Sequence, residues 1–491
     1  MAEIFWDGFD KYGPLYTYPV NSTMGNEWTS LPSGGNGAFV AGRFAGSLAL
    51  QIWYNDTARR SLPSNYPRLI GGIAMQCTLQ SSSGVVLSDS GNSQCAVGFN
   101  TAGNLVLWQG GINGTQIAIS SSPITANSWH YVEWDLTFSS SGNYTVWLDG
   151  VQVFSGIGNL QTSGTSTANS IILSGQVVNL DDMYLFDNTG SANNAQRGDS
   201  RVETLFPTAD ASVAFTPSQG VIGAYYSING LNGYLSANQL FLRKYTAPVS
   251  GTLNSVSVMP NQSSGTINFQ PAVYADNVGS PGTLLSGGAA VNGCVGGTPV
   301  VMPLTTPQSL TAGTPYWLGY IADTDLNTLR QDAAADQTNA GYSAGVSFAS
   351  GPPSTAPSMG GGQSSLMVWG GMTGMSTNYT ETNELPPGGD LSCVTSSTVG
   401  AEDLYNFTSL SSSPSDIAGV KISAMLRKTD SGARTVTVQL ESGGTEVSSA
   451  AVTPRSSYTY YSNYQDTDPA TSAAWTASGI NSLAAGAKIA S

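Results

Sequence analysis

The chain has 491 residues, more than one hydrophobic core accommodates, and its length points to about three domains. Only 10% of the residues are charged, and 31 acids against 16 bases give a formal net charge of -15. That balance excludes nucleic acid as a partner, because displacing phosphate counterions needs a cationic footprint, and it excludes attraction to an anionic bilayer.

Hydrophobic residues make up 40% of the chain and aromatic residues 9%, which excludes disorder. The 58 glycines and 24 prolines, with abundant Ser, Thr and Asn, describe a neutral-polar surface and many tight turns. Short alternating stretches separated by turn residues dominate throughout, and helical periodicity is nearly absent. The fold class expected is all-β, built from antiparallel β-sandwiches.

In chain order, MAEIFWDGFDKYGP at the start has neither a basic nor an apolar leader region, so no signal peptide is expected there. No run approaches 18 apolar residues, and no membrane insertion is expected. QIWYNDT, residues 51–57, places an aromatic pair where exposure and burial are equally open. Cys77 and Cys95 could pair across neighbouring strands or stay as buried thiols; with Cys294 and Cys393 they form no CxxC pair and hence no zinc knuckle.

WHYVEWDLTFSSSGNYTVWLDGVQVFSG, residues 129–156, reads as three consecutive strands. Tyr144, Val146 and Leu148 face one way, Thr145 and Trp147 the other. Asp149-Gly150 predicts a two-residue hairpin, because a type I′ turn needs positive φ at both central positions. His130 is the sole histidine, so a His-ligated zinc site of the HExxH type is excluded and no Ser-His-Asp set is legible. Its expected role is structural, at a strand edge.

Glycoside hydrolysis needs two carboxylates and no histidine. Glu133 and Asp135 in YVEWDLTF are the nearest approach, since residues two apart on a strand share a face. A third alternating acid is missing, and a solvated outer face is the simpler reading. No catalytic residue is therefore assigned and the chain is expected not to be an enzyme; no metal ligand is assigned, and the binding residues stay unknown. Asp181-Asp182 in NLDDMYLFD allows a calcium site, but adjacent strand residues face opposite ways, so capping of backbone N–H groups is expected instead and no cofactor is assigned. Trp108, Trp147 and Trp369 stand in polar or Gly-rich settings and could serve as sugar platforms.

Further on, TINFQPAVYADN and TPYWLGYIAD read as strands, and residues 350–365, SGPPSTAPSMGGGQSS, as loop. ISAMLRKTDSGARTVTVQLES reads as two alternating strands around KTDSG. Near the end, DPATSAAWTASGINSLAAGAKIAS predicts a helix with Trp475, Ile480 and Leu483 on one face.

Several of these stretches together resemble a known family. WDGFDKYG, TARRSLP, WHYVEWDL with WLDGVQV, and LDDMYLFDNTGS resemble the concanavalin A-like, laminin G-type lectin domain of tailed-bacteriophage structural proteins. GDSRVETLFPTAD with FTPS, STVGAEDLYNFTSL, KTDSGARTV and DTDPATSAAWT are similar to the later parts of the same phage proteins. The resemblance implies a jelly-roll domain at 1–198, a C-terminal β-rich virion domain made of 199–216 plus 377–491, and a β-sandwich inserted at 217–376. It also implies a virion surface protein, made in the host cytoplasm and displayed as a tail-side appendage such as a fibre or spike. Its partners would be copies of itself, with a trimer as the expected state, other virion proteins and host cell-surface glycans. A capsid-decorating protein or head fibre is the alternative of the same class, and a polysaccharide depolymerase or glucanase that of another. The resemblance carries no catalytic residue, calcium set or sugar signature with it.

Overall fold

The computed structural model describes residues 3–13, 22–33, 36–54, 56–162, 164–190, 192–217, 220–223, 232–247, 249–261, 265–329, 340–343, 345–361, 366–373, 377–383, 385, 387 and 389–491. Its architecture is all-β, in antiparallel sheets. Among the described residues the α-helical segments are four and five residues long. By its internal contacts the chain divides into two compact units: Met1–Phe206 with Asn406–Ser491, and Pro207–Tyr405.

The first unit is built on a two-sheet sandwich. Its strands are β1 (Glu3–Asp7), β2 (Gly37–Ala41), β3 (Leu48–Ile52), β4 (Asp56–Tyr66), β5 (Arg68–Cys77), β6 (Ser83–Asp89) and β7 (Asn92–Phe99), then β8 (Leu105–Gln109) and β9 (Thr115–Ile119). They continue with β10 (Trp129–Thr137), β11 (Gly142–Leu148), β12 (Val151–Gly158), β13 (Ala168–Gly175) and β14 (Val178–Phe186). One sheet runs β12-β11-β10-β5-β14-β3-β2, with β1 also on β14; the other runs β4-β13-β6-β7-β8-β9. Side chains at alternate positions, such as Val132, Trp134 and Leu136 on β10 and Val85 and Leu87 on β6, close the core between the sheets. This is the period-two burial that a half-covered strand requires.

The hairpin read from the sequence is present. Leu148 pairs with Val151 across Asp149 and Gly150, whose φ angles are 52° and 77°. The Asp149 carboxylate accepts from the Tyr131 backbone N–H at 2.8 Å and faces His130 Nδ1 at 2.8 Å. His130 therefore pins the hairpin tip to the start of β10. On the outer face of the first sheet, Trp147, Glu133, Gly72 and Tyr184 form one cross-strand row. Glycine is required in that row: a Cβ on Gly72 would lie 2.5 Å from Tyr184 Cε1 and 2.9 Å from Tyr131 Cε1.

Within this unit a C-terminal ribbon packs on the sandwich. It is formed by Val420–Leu426 paired with Thr459–Gln465. Tyr464 lies tilted against Trp6 with ring centroids 5.7 Å apart, and Tyr460 meets Tyr12 edge-on at 6.1 Å. Lys421 reaches the Trp6 carbonyl at 3.1 Å and Glu27 at 2.8 Å, and Lys11 lies 2.6 Å from the same carboxylate. Tyr12 O–H lies between Glu27 and Asp7, and Asp7 also accepts from Trp28 Nε1 at 3.0 Å. Burial alone would raise the Glu27 carboxyl, but Lys11, Lys421 and Arg60 together hold it well below the usual carboxylate range.

Two expectations for the C-terminal segment are corrected. Strands Val420–Leu426 and Val436–Ser442 both form, but they do not pair around KTDSG; the second pairs instead with Thr445–Ser448 and Ala484–Ile489. The predicted helix is only Ala477–Asn481, capped by Thr476 Oγ1 accepting from Gly479 N at 3.1 Å, and the chain after it is strand. Trp475, Ile480 and Leu483 do share one core, with Leu440 and Ala485. The apolar residues that suggest a helical face are met instead by a sheet, which overrides local propensity.

In the second unit, Ile267–Asn277 and Pro315–Ala322 form and pair antiparallel, as TINFQPAVYADN and TPYWLGYIAD suggest. Their sheet includes Leu240–Thr246, and another sheet carries Gly251–Val258, Val300–Leu310 and Val368–Thr373. Val256, Phe269, Val273, Leu318 and Val368 share the core. Within 350–365, Gly360–Gly361 forms a two-residue strand, and residues 362–365 lie outside the described residues.

One hairpin tip in this unit violates local preference. Val278 and Gly279 link Asn277 to Ser280 with φ of 50° and 85°, and Val278 is 99% exposed. A β-branched residue in this region is strained, whereas Asn is tolerated. Val278→Asn should stabilise this unit by about 1 kcal/mol, read as a higher urea midpoint; an unchanged or lower midpoint would show that the tip is unstrained.

Candidate functional site

At one end of the sandwich, β3, β14, β5 and β10 present a row of side chains on the outer face of the first sheet. Gln51 pairs with Asn179, Asn179 with Gln76, and Gln76 with Trp129. Register-paired residues on neighbouring strands share a face, so three amides and an indole lie side by side. The amides are linked in one direction. Gln51 Nε2 donates to Asn179 Oδ1 at 2.7 Å, Asn179 Nδ2 donates to Gln76 Oε1 at 2.7 Å, and Gln76 Nε2 donates to the Asn127 carbonyl at 2.9 Å. All four side chains are half-buried.

The loops that continue these strands build a cleft of 370 Å³ lined by Trp53, Tyr54, Gln80, Gln176 and Val177. Trp53 and Tyr54 follow β3 directly, Gln176 and Val177 join β13 to β14, and Gln80 follows β5. The Thr78 hydroxyl donates to the Gln176 carbonyl at 3.3 Å, tying two of these loops. Tyr54 is 73% exposed. Among the described residues each loop holds one non-glycine residue at left-handed φ: Tyr54 at 56°, Leu79 at 61° and Val177 at 54°. Such conformations persist where the surrounding structure imposes them, and they cluster at functional sites. Together these features give a polar, aromatic-rimmed shelf that can donate to and accept from a polyhydroxylated ligand.

Of the residues read from the sequence, the pair in QIWYNDT, Trp53 and Tyr54, falls in this site. Trp108 and Trp369 do not serve as platforms, being 4% and 2% exposed. Trp147 is half-buried, two rows from the amides. Glu133 and Asp135 share the outer face as expected, but that face is not solvated at Glu133, and both carboxylates are occupied. Glu133 is buried and accepts from Tyr184 O–H at 2.6 Å, Arg197 N at 3.0 Å and Gly198 N at 2.8 Å. Asp135 is held by Arg68 through two contacts of 2.7 and 2.6 Å.

Asp181 and Asp182 act as caps at a bulge in β14. Asp181 accepts from Asp182 N at 2.8 Å and Arg43 N at 3.0 Å; Asp182 accepts from Val202 N at 2.8 Å and Arg43 Nη1 at 3.3 Å. Among the described residues no three His, Cys, Asp or Glu side chains converge as a metal site. Burial raises Asp181 to about 8, helped by the Asp182 charge, and raises Asp10 to about 7 and Asp182 to about 6. Cys77 and Cys95 lie on opposite sheets as free, buried thiols, Cys77 pushed up to about 12 by burial, so the cross-strand disulfide is not formed.

No family model and no curated protein matches the chain. Solved structures do. An endo-β-1,4-glucuronan lyase from the fungus Trichoderma reesei is 14% identical, over 33% of this chain and 91% of that one, with a TM-score of 0.27. The carbohydrate-binding module CBM66 from Bacillus subtilis is 12% identical over 30% and 88%, with a TM-score of 0.23. A mutant of the alginate lyase Aly36B, in complex with alginate tetrasaccharide, is 10% identical over 38% and 97%, with a TM-score of 0.27.

The expectation that the chain is not an enzyme is withdrawn, since the similar structures include lyases; they assign this chain no activity. That expectation rested on a lone histidine and an incomplete carboxylate set. Tyr and Lys can also move a proton in a transition state, and 22 tyrosines leave that route open.

Proposed function

We propose that the N-terminal sandwich binds glycan along the amide row and the adjoining cleft, and that the chain does so as a surface protein of a tailed-phage virion. The observation that carries the binding reading is the convergence of three strained loops on an exposed tyrosine, beside three half-buried amides and Trp129. Aromatic rings offer apolar faces to sugar C–H groups, and amides exchange hydrogen bonds with hydroxyls. The virion setting is supported by the phage-like stretches of the sequence and by a neutral-polar surface, which loses little on desolvation when copies or partner proteins meet. Weak single sites would gain avidity from several copies.

The test is retention of the purified chain on host envelope polysaccharide, compared with Trp129→Ala, which should weaken binding about tenfold. Equal retention of the variant would refute the site. Sugar release during the same incubation would make the site that of a depolymerase. Antibody labelling of intact particles reads the setting: label on the tail supports an appendage, label on the head a decorating protein, and no label removes the virion reading.

A further inference from the structure

We infer that the ligand is a neutral oligosaccharide laid across the strands, and not an acidic one; this rests on the glycan-binding reading above. None of the described residues lining the cleft or forming the amide row carries a charge. Recognition of a sugar carboxylate or sulfate calls for Arg or Lys, whose N–H groups match the anion and offset its charge. The first 206 residues contain seven such side chains, and all are engaged elsewhere. Lys11, Arg43, Arg68, Arg197 and Arg201 are in ion pairs with carboxylates. Arg59 donates to Ser170, and Arg60 lies over the Phe5 ring. An acidic chain would thus approach a polypeptide of net charge -15 with no cation among the described residues of the shelf to receive it.

The amides, by contrast, suit hydroxyls. Each primary amide has two N–H donors and an oxygen with two lone pairs, and the ladder consumes one donor from each and one lone pair on Asn179 and on Gln76. The remaining groups can serve a ligand that both donates and accepts. From Gln51 to Trp129 the row crosses three strand spacings, about 14 Å, which matches a short oligosaccharide better than a single sugar. Because no charged side chain takes part, binding should vary little with salt or with pH near neutrality.

Affinity electrophoresis or calorimetry on dextran, mannan and galactan, against alginate and polygalacturonate, tests this at low and high salt. Tyr54→Asn removes the exposed ring while keeping a residue suited to left-handed φ, and Gln76→Ala opens the ladder. The expected result is salt-insensitive binding to a neutral polymer, weakened about tenfold by either change, with the thermal midpoint of Tyr54→Asn unchanged. Salt-sensitive binding to alginate or polygalacturonate that still depends on Tyr54 would overturn the neutral specificity and keep the site. Binding of either class that is indifferent to Tyr54, Gln76 and Trp129, or no binding to any of these polymers, would overturn the site itself.

Discussion

Glu27→Ala should destabilise the first unit by about 3–5 kcal/mol, the usual cost of removing one partner from a buried ion pair. Glu27 is 7% exposed and receives both Lys11 and Lys421, whose side chains are 14% and 5% exposed. Its removal leaves two ammonium groups out of water, with Asp7 as the remaining carboxylate near Lys11 at 3.5 Å. Lys421→Met should cost less, because Lys11 stays 2.6 Å from Glu27 and the methionine retains apolar contact with Phe5 and Tyr464. Urea unfolding followed by tryptophan fluorescence measures both. A loss below about 1 kcal/mol for Glu27→Ala would be that of an exposed pair and would show that the cluster is solvated.

Stability should also pass through a maximum at mildly acidic pH. Asp10, Asp181 and Asp182 have folded-state pKa values raised to about 7, 8 and 6, with burial the first cause in each case. A carboxyl raised in this way holds its proton more firmly when folded, so its stabilisation is complete below the unfolded value and is lost as pH climbs through the folded one. Glu3, raised to about 7 by burial and by Asp466, acts in the same direction. Glu27 has the opposite sign: its depressed value gives stabilisation that is complete above the ordinary carboxylate range and is lost on acidification. The two trends cross within the ordinary carboxylate range, near pH 4, and stability should descend from there to pH 8. Thermal midpoints across that range provide the check. A midpoint that rises steadily towards pH 8 would show that these carboxyls are ionised in the folded state without cost.

The sequence was informative where local chemistry decides the structure. Asp149-Gly150 specifies its own turn, and the alternation in YTVWLDGVQVFSG follows from the pleat. The strands in TINFQPAVYADN and TPYWLGYIAD are legible for the same reason. The candidate site was not legible, because it depends on register. Gln51, Gln76, Trp129 and Asn179 come from four segments, and only the order β10-β5-β14-β3 brings them into one row. Their one visible signal is a polar residue near the end of an apolar strand, which is also how ordinary solvent-facing positions read. Trp108 and Trp369 show the converse: a polar neighbourhood in sequence does not report burial by distant strands. In the C-terminal segment, LAAGAKIAS joins a sheet because Val436–Ser442 offers it an edge, which composition does not reveal.

The ribbon that carries Lys421 and Tyr464 has a practical consequence for dissecting the protein. A recombinant fragment ending at residue 206 would leave Trp6, Phe186 and Tyr184 facing water and would take away one of the two ammonium groups on Glu27. Such a truncation should be sticky and weakly folded even though its fourteen-stranded sandwich is intact. A better-behaved fragment would instead fuse the first segment to 402–491 through a short linker, keeping strand Glu402–Phe407 beside Ala484–Ile489.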